Sequence, residues 1–425
     1  MTVSATFQAI KNDFATIEGV LYQGATRPSP ALVVTTHPRS RSSMTGFPGP
    51  DLAARGVDTL CFDNRFSNSP AGSDLDTIFE ELALDVAAAV QHGRDLGYRR
   101  VVVTGHSAGG PTMAFYQHLA THGPAGLRPD LSLSGFAGFI DAAGQPRQLP
   151  AADGLVLRSS TVGTAASFLI RLDGSVIDEH SGRRDPRLDP YAPANGFDRA
   201  QGEAHYEAGF LQAYYRAQAA RMQRLIEHAQ AALEAAAAGD GPYTDDAFIE
   251  VPRTRANPTT VDLALATETA EAHPLYPGGS RVQIRDRRPL NSEQAANDRC
   301  TGAAIHRVRA MLSYRLVQVD PAAFDPLSPE PDGTGIDFLS SNSSTPTSLA
   351  NLPCPLLILQ GTADESNSVK LTSAELDWRA AGSPDKELAF IEGGMHSMLP
   401  VDPSYGDTRS VCADVFAAWV KARFA

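Results

Sequence analysis

The feature that most constrains this fold is a series of short apolar runs, several of which lead directly into a segment with helical periodicity. Runs rich in Val, Ile and Leu without polar alternation are typical of strands buried on both faces of a parallel sheet. Because such strands alternate with helices, we predict an α/β fold with a mostly parallel central sheet flanked by helices. Residues 131–139 compete with residues 154–160 for one strand, but their glycines weaken a strand. The predicted buried strands occupy residues 31–37, 57–63, 99–105, 154–160, 354–361 and 386–394.

The alternation is interrupted in the middle of the chain. Residues 1–160 and 345–425 carry it and are predicted to form one α/β core. Residues 161–344 differ in character and are predicted to form a large, mainly helical insertion. Within this insertion, apolar residues recur at helical spacing over residues 203–238, and a continuous helix of that length would span ~50 Å.

Composition and charge argue against several classes of function. The chain has 425 residues and a formal net charge of −13, which argues against nucleic-acid binding because phosphate contacts need clustered Lys and Arg. No apolar run approaches the ~18–20 residues that span a membrane, and the first residues lack a signal-peptide pattern. We therefore expect a cytoplasmic protein with no membrane partner. The four cysteines are far apart, and the usual zinc and nucleotide motifs are missing, so we expect no metal and no cofactor.

One of the apolar runs leads into a serine between glycines, in the sequence GHSAGG of residues 105–110. A strand that turns sharply into a helix strains its turn residue and needs small neighbours, here Gly105 and Gly109. The side chain of Ser107 would stand at the carboxyl edge of the sheet, where open α/β sheets place their sites. The pattern predicts that Ser107 is a nucleophile, and the alternative is an ordinary N-cap serine.

A nucleophilic serine needs a base that accepts its proton and an acid that orients the base. Of the eleven histidines, His396 follows a C-terminal strand and precedes the last helix, which favours it as the base. The acid should follow a strand between the serine and the histidine. Asp364 stands just after the run 354–361, with Glu365 as the neighbouring alternative. The predicted catalytic residues are therefore Ser107, Asp364 and His396.

These residues lie in the motifs GHSAGG, GTAD and GGMHSM, and with the motifs in this order the sequence resembles the α/β-hydrolase family. The resemblance covers about residues 25–140 and 345–425. It implies that the serine, the acid and the histidine form one catalytic edge of the sheet. The insertion is similar to the cap, or lid, domain of that family, although it matches no named subfamily.

Cleavage of an ester or amide places negative charge on the carbonyl oxygen, which two backbone N–H groups should face. In the family that this chain resembles, one donor is the residue after the nucleophile, here Ala108. The other donor lies in the loop after the first central strand. Family members often have His-Gly there, whereas this chain has His37 followed by Pro38. Because proline has no N–H group, the second predicted donor is Arg39.

Several residues near this edge are candidates for contact with the substrate. Arg39 and Arg41 together would suit a substrate carboxylate or sulfonate, although ordinary salt bridges are the alternative. Both histidines among the candidates can also be structural. Aromatic residues on the long helix can form a pocket roof, a packed core or a homodimer interface. The candidates for substrate binding are His37, Arg41, Phe66, His106 and Tyr214.

The leading interpretation is a serine hydrolase that cleaves a carboxylic ester or a lactone of a small organic substrate through an acyl-enzyme on Ser107. The same three groups can hydrolyse an amide or a C–C bond next to a carbonyl, or transfer the acyl group to an alcohol or amine. A non-catalytic ligand receptor is a third class, and the complete set of three groups argues against it. The insertion contains no motif that identifies the substrate.

Overall fold

Fourteen strands occur in the part of the chain that the computed structural model describes. That part comprises residues 3–13, 15–25, 29–37, 42–67, 75–123, 137–139, 145, 147–241, 245–265, 268–289, 302–366 and 370–425. In chain order the strands are β1 (Ser4–Lys11), β2 (Thr16–Gln23), β3 (Leu32–Thr35), β4 (Asp58–Phe62), β5 (Val101–His106), β6 (Gly154–Arg158), β7 (Phe197–Asp198), β8 (Glu203–Ala204), β9 (Phe248–Val251), β10 (Glu268–Tyr276), β11 (Ser280–Arg285), β12 (Ala304–Arg307), β13 (Leu356–Gly361) and β14 (Lys386–Ile391).

The same described residues include nine α-helices. They are α1 (Gly49–Ala53), α2 (Leu82–Asp95), α3 (Gly109–His122), α4 (Thr164–Leu169), α5 (Ala208–Ala237), α6 (Val308–Tyr314), α7 (Thr345–Leu349), α8 (Leu371–Ala380) and α9 (Thr408–Phe424). Residues 131–136 of the competing strand prediction lie outside the described residues, whereas the strand predicted at residues 154–160 is observed as β6.

Ten of the strands form one sheet in the order β1-β2-β4-β3-β5-β6-β13-β14-β10-β11. The strands from β4 to β10 in this order run parallel, whereas β2 is antiparallel to β4, and β1 and β11 are antiparallel to their neighbours. Helices α2, α3 and α8 pack on one face, and α1 and α9 pack on the other. The predicted α/β fold, with a mostly parallel sheet between helices, is therefore confirmed.

The central strands are apolar throughout because their side chains alternate between two cores. Val34 of β3 and Ile358 of β13 belong to the core under α2 and α3, whereas Val33 and Leu359 belong to the core under α9. Burying each such side chain fully is worth about 1.5–3 kcal/mol relative to exposure. The two cores therefore hold the carboxyl ends of the strands in fixed positions. The loops that follow these strands begin from fixed positions as well.

The two ends of the long segment between β6 and β13 lie side by side. Gly163 forms an isolated antiparallel bridge with Ser344. The backbone N–H of Thr345 donates to the carbonyl of Val162 at 3.1 Å, and its hydroxyl donates to the carbonyl of Thr161 at 2.8 Å. Because the two ends of the intervening segment meet, the sheet can accommodate a long segment without losing its register.

The long helix predicted over residues 203–238 is observed as α5, with 30 residues. Its apolar face packs with α4 and α6 in a core separate from the two cores of the main sheet. Met222 and Leu225 of α5 share this core with Phe168 of α4 and Met311 of α6. The insertion therefore has an apolar core of its own.

A hairpin from the insertion joins the central sheet, a feature that the sequence analysis did not identify. β10 pairs with β14 in parallel, and β11 runs back beside β10. Glu375 of α8 fastens the hairpin by accepting the backbone N–H groups of Ala270 at 2.8 Å and Glu271 at 2.9 Å. In β11 only Ile284 is buried, so no apolar run marks this edge strand in the sequence. The segment 161–344 thus contributes strands as well as helices.

Candidate active site

Ser107 lies at the turn between β5 and α3 with a φ angle of 55°. Residues with a side chain rarely adopt this left-handed conformation, which costs of order 1–3 kcal/mol and persists only where neighbours enforce it. The Ser107 N–H donates to the carbonyl of Arg158 at 3.1 Å, and the Ser107 carbonyl accepts from the Gly110 N–H at 3.0 Å. The strained strand-to-helix turn that the motif predicts is therefore present.

The glycines around Ser107 allow this turn to form. A Cβ atom on Gly105 would lie 2.1 Å from the carbonyl oxygen of Gly109, and one on Gly110 would lie 1.9 Å from Oγ of Ser160. Both distances are far below van der Waals contact, and the first involves backbone that cannot move aside easily. Gly105 and Gly110 are thus required by the close approach of strand, turn and helix.

His396 lies in the loop after β14, beside the turn that follows β13. Its Nδ1 is 3.0 Å from each carboxylate oxygen of Asp364. Asp364 is only 4% exposed, and its carboxylate also accepts hydrogen bonds from Gln360 Nε2 at 3.0 Å and from the Ser366 N–H at 2.9 Å. A carboxylate on Nδ1 fixes the proton there, so Nε2 is the nitrogen that can accept a proton from a hydroxyl group.

Glu365, the alternative acid, has a different contact. Its Oε2 accepts the backbone N–H of His396 at 2.9 Å. The imidazole ring of His396 contacts Asp364, while the backbone of the same residue contacts Glu365. Of the two neighbouring carboxylates, Asp364 is therefore the one that can stabilise a charged imidazole. Glu365 instead binds the backbone of the loop that carries His396.

The loops that carry Asp364 and His396 touch through two glycines. A Cβ atom on Gly361 would lie 2.1 Å from the carbonyl oxygen of Gly394. The same carbonyl accepts the N–H of Ala363 at 3.0 Å. The acid and the histidine are held together by this backbone contact as well as by their side chains.

We expect Gly361→Ala to lower the free energy of unfolding by about 1–3 kcal/mol, because the new methyl group would overpack this contact. Urea unfolding measures the change. Gly209→Ala on α5 is the control, since a Cβ atom there meets nothing within 4 Å and alanine suits a helix. A Gly361→Ala protein as stable as the wild type would contradict the contact between the loops.

His106 connects the serine turn to the histidine loop. Its Nε2 is 2.8 Å from the carbonyl oxygen of His396, and the centroids of the two rings are 4.6 Å apart. Burial lowers the pKa of His106 well below its usual range, and the nearby charges of His396 and Arg158 lower it further. A carbonyl only accepts hydrogen bonds, so the neutral ring carries its proton on Nε2. The structural role that the sequence allows for His106 therefore agrees with its contacts, and a contact with substrate stays a prediction.

We expect His106→Phe to lower kcat by about 10- to 100-fold, because the carbonyl of His396 loses its donor and the base shifts relative to Ser107. His106→Gln keeps an N–H group at a similar distance from the backbone, so it should recover most of the activity. Steady-state assays of both variants, with melting temperatures as a check on folding, measure the difference. Equal activity of the Phe and Gln variants would contradict a positioning role.

Three other predicted residues, His37, Ala108 and Phe66, each lie in a different local environment. The backbone N–H of His37 donates to Ser43 Oγ at 2.9 Å, and its carbonyl accepts from Asn64 Nδ2 at 2.6 Å. Ala108 is the N-cap residue of α3. Phe66 is partly buried against the core under α2 and α3. The contacts of His37 are those of a residue that holds the start of its loop.

The prediction that Tyr214 contacts a substrate is wrong. Tyr214 is 0% exposed, belongs to the core of the insertion, and donates its hydroxyl hydrogen to the carbonyl of Ala256 at 2.6 Å. A side chain that is fully enclosed and hydrogen-bonded to backbone has no free face for a ligand. Arg39 and Arg41 lie outside the described residues, so the predicted clamp and the second N–H donor stay predictions.

A metal centre has no support among the residues that the structure describes: no three His, Cys, Asp or Glu side chains there are grouped so as to hold an ion. Cys61, Cys354 and Cys412 are free and buried. Among the described helices, none has both the length and the apolar character needed to cross a membrane.

No protein-family model matches the chain, and no curated protein matches it in sequence. Among solved structures, the chain is similar to a soluble variant of monoglyceride lipase from Saccharomyces cerevisiae, with 11% identity over 100% of this chain and 97% of that one and a TM-score of 0.47. It is also similar to the esterase domain of a Rhodothermus marinus protein, with 13% identity over 100% and 98% of the chains and a TM-score of 0.40. For a dienelactone hydrolase from Anabaena variabilis the identity is 10% over 100% of both chains, with a TM-score of 0.41. With identities of 10–13% and TM-scores below 0.5, these similarities assign no activity to this chain.

Proposed function

We propose that this chain is a serine hydrolase of the α/β-hydrolase family that cleaves an ester-type bond, a carboxylic ester or a lactone, of a small organic substrate. The observation that carries the proposal is the pairing of His396 with the buried carboxylate of Asp364, beside the strained turn at Ser107. The contact of His106 with His396 supports their proximity, because His106 directly precedes Ser107.

In the proposed reaction, Ser107 Oγ attacks the substrate carbonyl while His396 Nε2 accepts the hydroxyl proton. The tetrahedral intermediate collapses when the imidazolium returns that proton to the departing alkoxide, which leaves an acyl group on Ser107. Water then attacks the acyl carbonyl, with His396 again accepting a proton, and the carboxylic acid departs as Ser107 recovers its hydrogen. Asp364 stabilises the imidazolium in both steps and keeps the proton on Nδ1.

The negative oxygen of the intermediate requires donors, and we assign Ala108 as the first. As the N-cap residue of α3 it has an N–H group that cannot bond within the helix, and the positive end of the helix dipole favours an anion there. Arg39 is the proposed second donor. This assignment rests on the sequence alone, because Pro38 has no N–H group and Arg39 is the next residue.

A panel of aryl esters, lactones, anilides and diketones, assayed with mass-spectrometric identification of products, tests the proposal. We expect an ester or lactone to yield its free acid, with a transient mass increase on the protein equal to the acyl group. Ser107→Ala should show neither. Cleavage that persists in Ser107→Ala, or acyl transfer to an added alcohol without hydrolysis, would contradict the proposed hydrolase. The cytoplasmic location expected from the sequence stays a prediction, and the homodimer interface stays one of the alternatives for the long helix.

A further inference from the structure

Two buried cations, Lys370 and Arg288, lie on elements next to the loop that carries Asp364, and the ammonium group of Lys370 makes no hydrogen bond. Lys370 is 3% exposed, and its Nζ has no hydrogen-bond partner. Arg288 is 7% exposed, and its Nη2 lies against the buried carboxylate of Asp286 in an ion pair, while its Nε and Nη1 have no hydrogen-bond partner. Burying charged donors without acceptors is costly, and folded proteins rarely leave them so.

The N-terminus of α8 lies at the same place. Lys370 is the N-cap residue of this ten-residue helix, and no side chain caps the helix end there. The Ala374 N–H donates to the carbonyl of Lys370 at 3.3 Å, so the N–H groups of residues 371–373 have no acceptor inside the helix. A helix N-terminus carries partial positive charge. A protonated lysine at this position therefore places a positive charge beside the positive end of the helix dipole.

Two different elements bring these groups together. Arg288 follows the β10–β11 hairpin, and the N–H of its neighbour Arg287 donates at 2.7 Å to the carbonyl of Thr362, two residues before Asp364. Lys370 stands six residues after Asp364. The hairpin thus places Arg288 at the loop of the proposed catalytic acid, and Lys370 begins the helix that follows this loop.

The acids nearby do not satisfy both cations. Burial, followed by the charge of Arg288, lowers the pKa of Lys370 to about 7, while Asp325 and Asp286 act in the opposite direction. Asp286 is already engaged with Arg288, whose backbone N–H it accepts at 2.9 Å. Asp325 is exposed to solvent. Neither acid accepts a hydrogen bond from the ammonium group of Lys370.

We propose that Lys370, Arg288 and the N-terminus of α8 form a binding site for a small oxyanion, a carboxylate, phosphate or sulfate group. The oxygens of such a group would accept from the ammonium, the guanidinium and the helix N–H groups at once. The anion would also offset the mutual repulsion of the three positive features. This site goes beyond the proposed hydrolase activity and does not depend on it.

Titration calorimetry with inorganic phosphate at constant ionic strength tests the site directly on the full chain. We expect saturable binding to the wild type, at least tenfold weaker binding to Lys370→Met and to Arg288→Gln, and unchanged binding to Lys421→Met, which removes an exposed lysine on α9. Without phosphate, Lys370→Met should melt at the same temperature as the wild type or higher, because it removes an unpaired buried charge. Arg288→Gln provides the same test if Lys370→Met does not fold.

Two outcomes would overturn the proposal: no saturable phosphate binding, or a dissociation constant that Lys370→Met and Arg288→Gln leave unchanged. An assay of ester hydrolysis with added phosphate distinguishes two sources of the anion, a group of the substrate and a free ion. Phosphate that competes with an acidic ester, together with a KM for that ester raised in Lys370→Met, supports a site for an anionic group of the substrate. Phosphate that binds without competing supports a site for a free ion.

Discussion

Replacing Ser107 with alanine is expected to lower kcat by about 10⁴- to 10⁶-fold while the protein stays folded. The hydroxyl that would form the acyl bond is gone, and water activated by His396 is a poor substitute because it is not covalently held. The turn around Ser107 keeps its backbone hydrogen bonds with Arg158 and Gly110. Steady-state turnover of the best ester in the panel, with the melting temperature beside it, measures the effect.

Ser167→Ala is the matched control for this variant. Ser167 is a buried serine in the first turns of α4, and its hydroxyl has no hydrogen-bond partner. Its removal should change neither kcat nor the melting temperature appreciably. If Ser107→Ala retains more than about a tenth of wild-type turnover, Ser107 does not carry an acyl group in the rate-limiting path.

The second large effect is expected for Asp364→Asn, which should lower kcat by about 10⁴-fold. An asparagine cannot stabilise the positive charge that His396 acquires, and its amide group can hold the imidazole in the wrong tautomer. Asp364 is buried, so water cannot replace the lost charge effectively. The ester assay under saturating substrate measures the loss of kcat. A KM equal to that of the wild type shows that substrate binding is retained.

Glu365→Gln is the control that separates the two neighbouring carboxylates. A glutamine oxygen can still accept the backbone N–H of His396, so we expect less than a tenfold loss of kcat. A loss in Glu365→Gln as large as that in Asp364→Asn would contradict the assignment of Asp364 as the acid that acts on the ring.

Local patterns were sufficient to predict six strands of the central sheet, β3, β4, β5, β6, β13 and β14, and the elements of the candidate site. Residues of β13 such as Leu357 and Ile358 alternate between two cores, and this makes the whole run apolar and easy to recognise. The motif glycines mark turns with no space for a side chain, as at Gly105 and Gly361. Elements whose signal lies in adjacent residues can therefore be located from the chain alone.

Contacts between distant parts of the chain could not be predicted in this way. β11 shows no apolar run because it lies at the edge of the sheet, and the pairing of β10 with β14 depends on segments more than a hundred residues apart. Tyr214 lies at a plausible spacing for a pocket, but its neighbours in the insertion enclose it. His106 and Lys370 gain their environment from loops elsewhere in the chain, so neither sequence neighbourhood reveals it.

Intact-mass labelling with a fluorophosphonate tests the central claim most directly, because the reagent reacts with an activated serine and needs no knowledge of the substrate. Wild type, Ser107→Ala and His396→Ala should be compared after confirmation that each is folded. A single adduct on wild type, none on Ser107→Ala and strongly slowed labelling of His396→Ala is the result expected for a nucleophile activated by His396. No adduct on folded wild type, or an adduct that persists on Ser107→Ala, would contradict it.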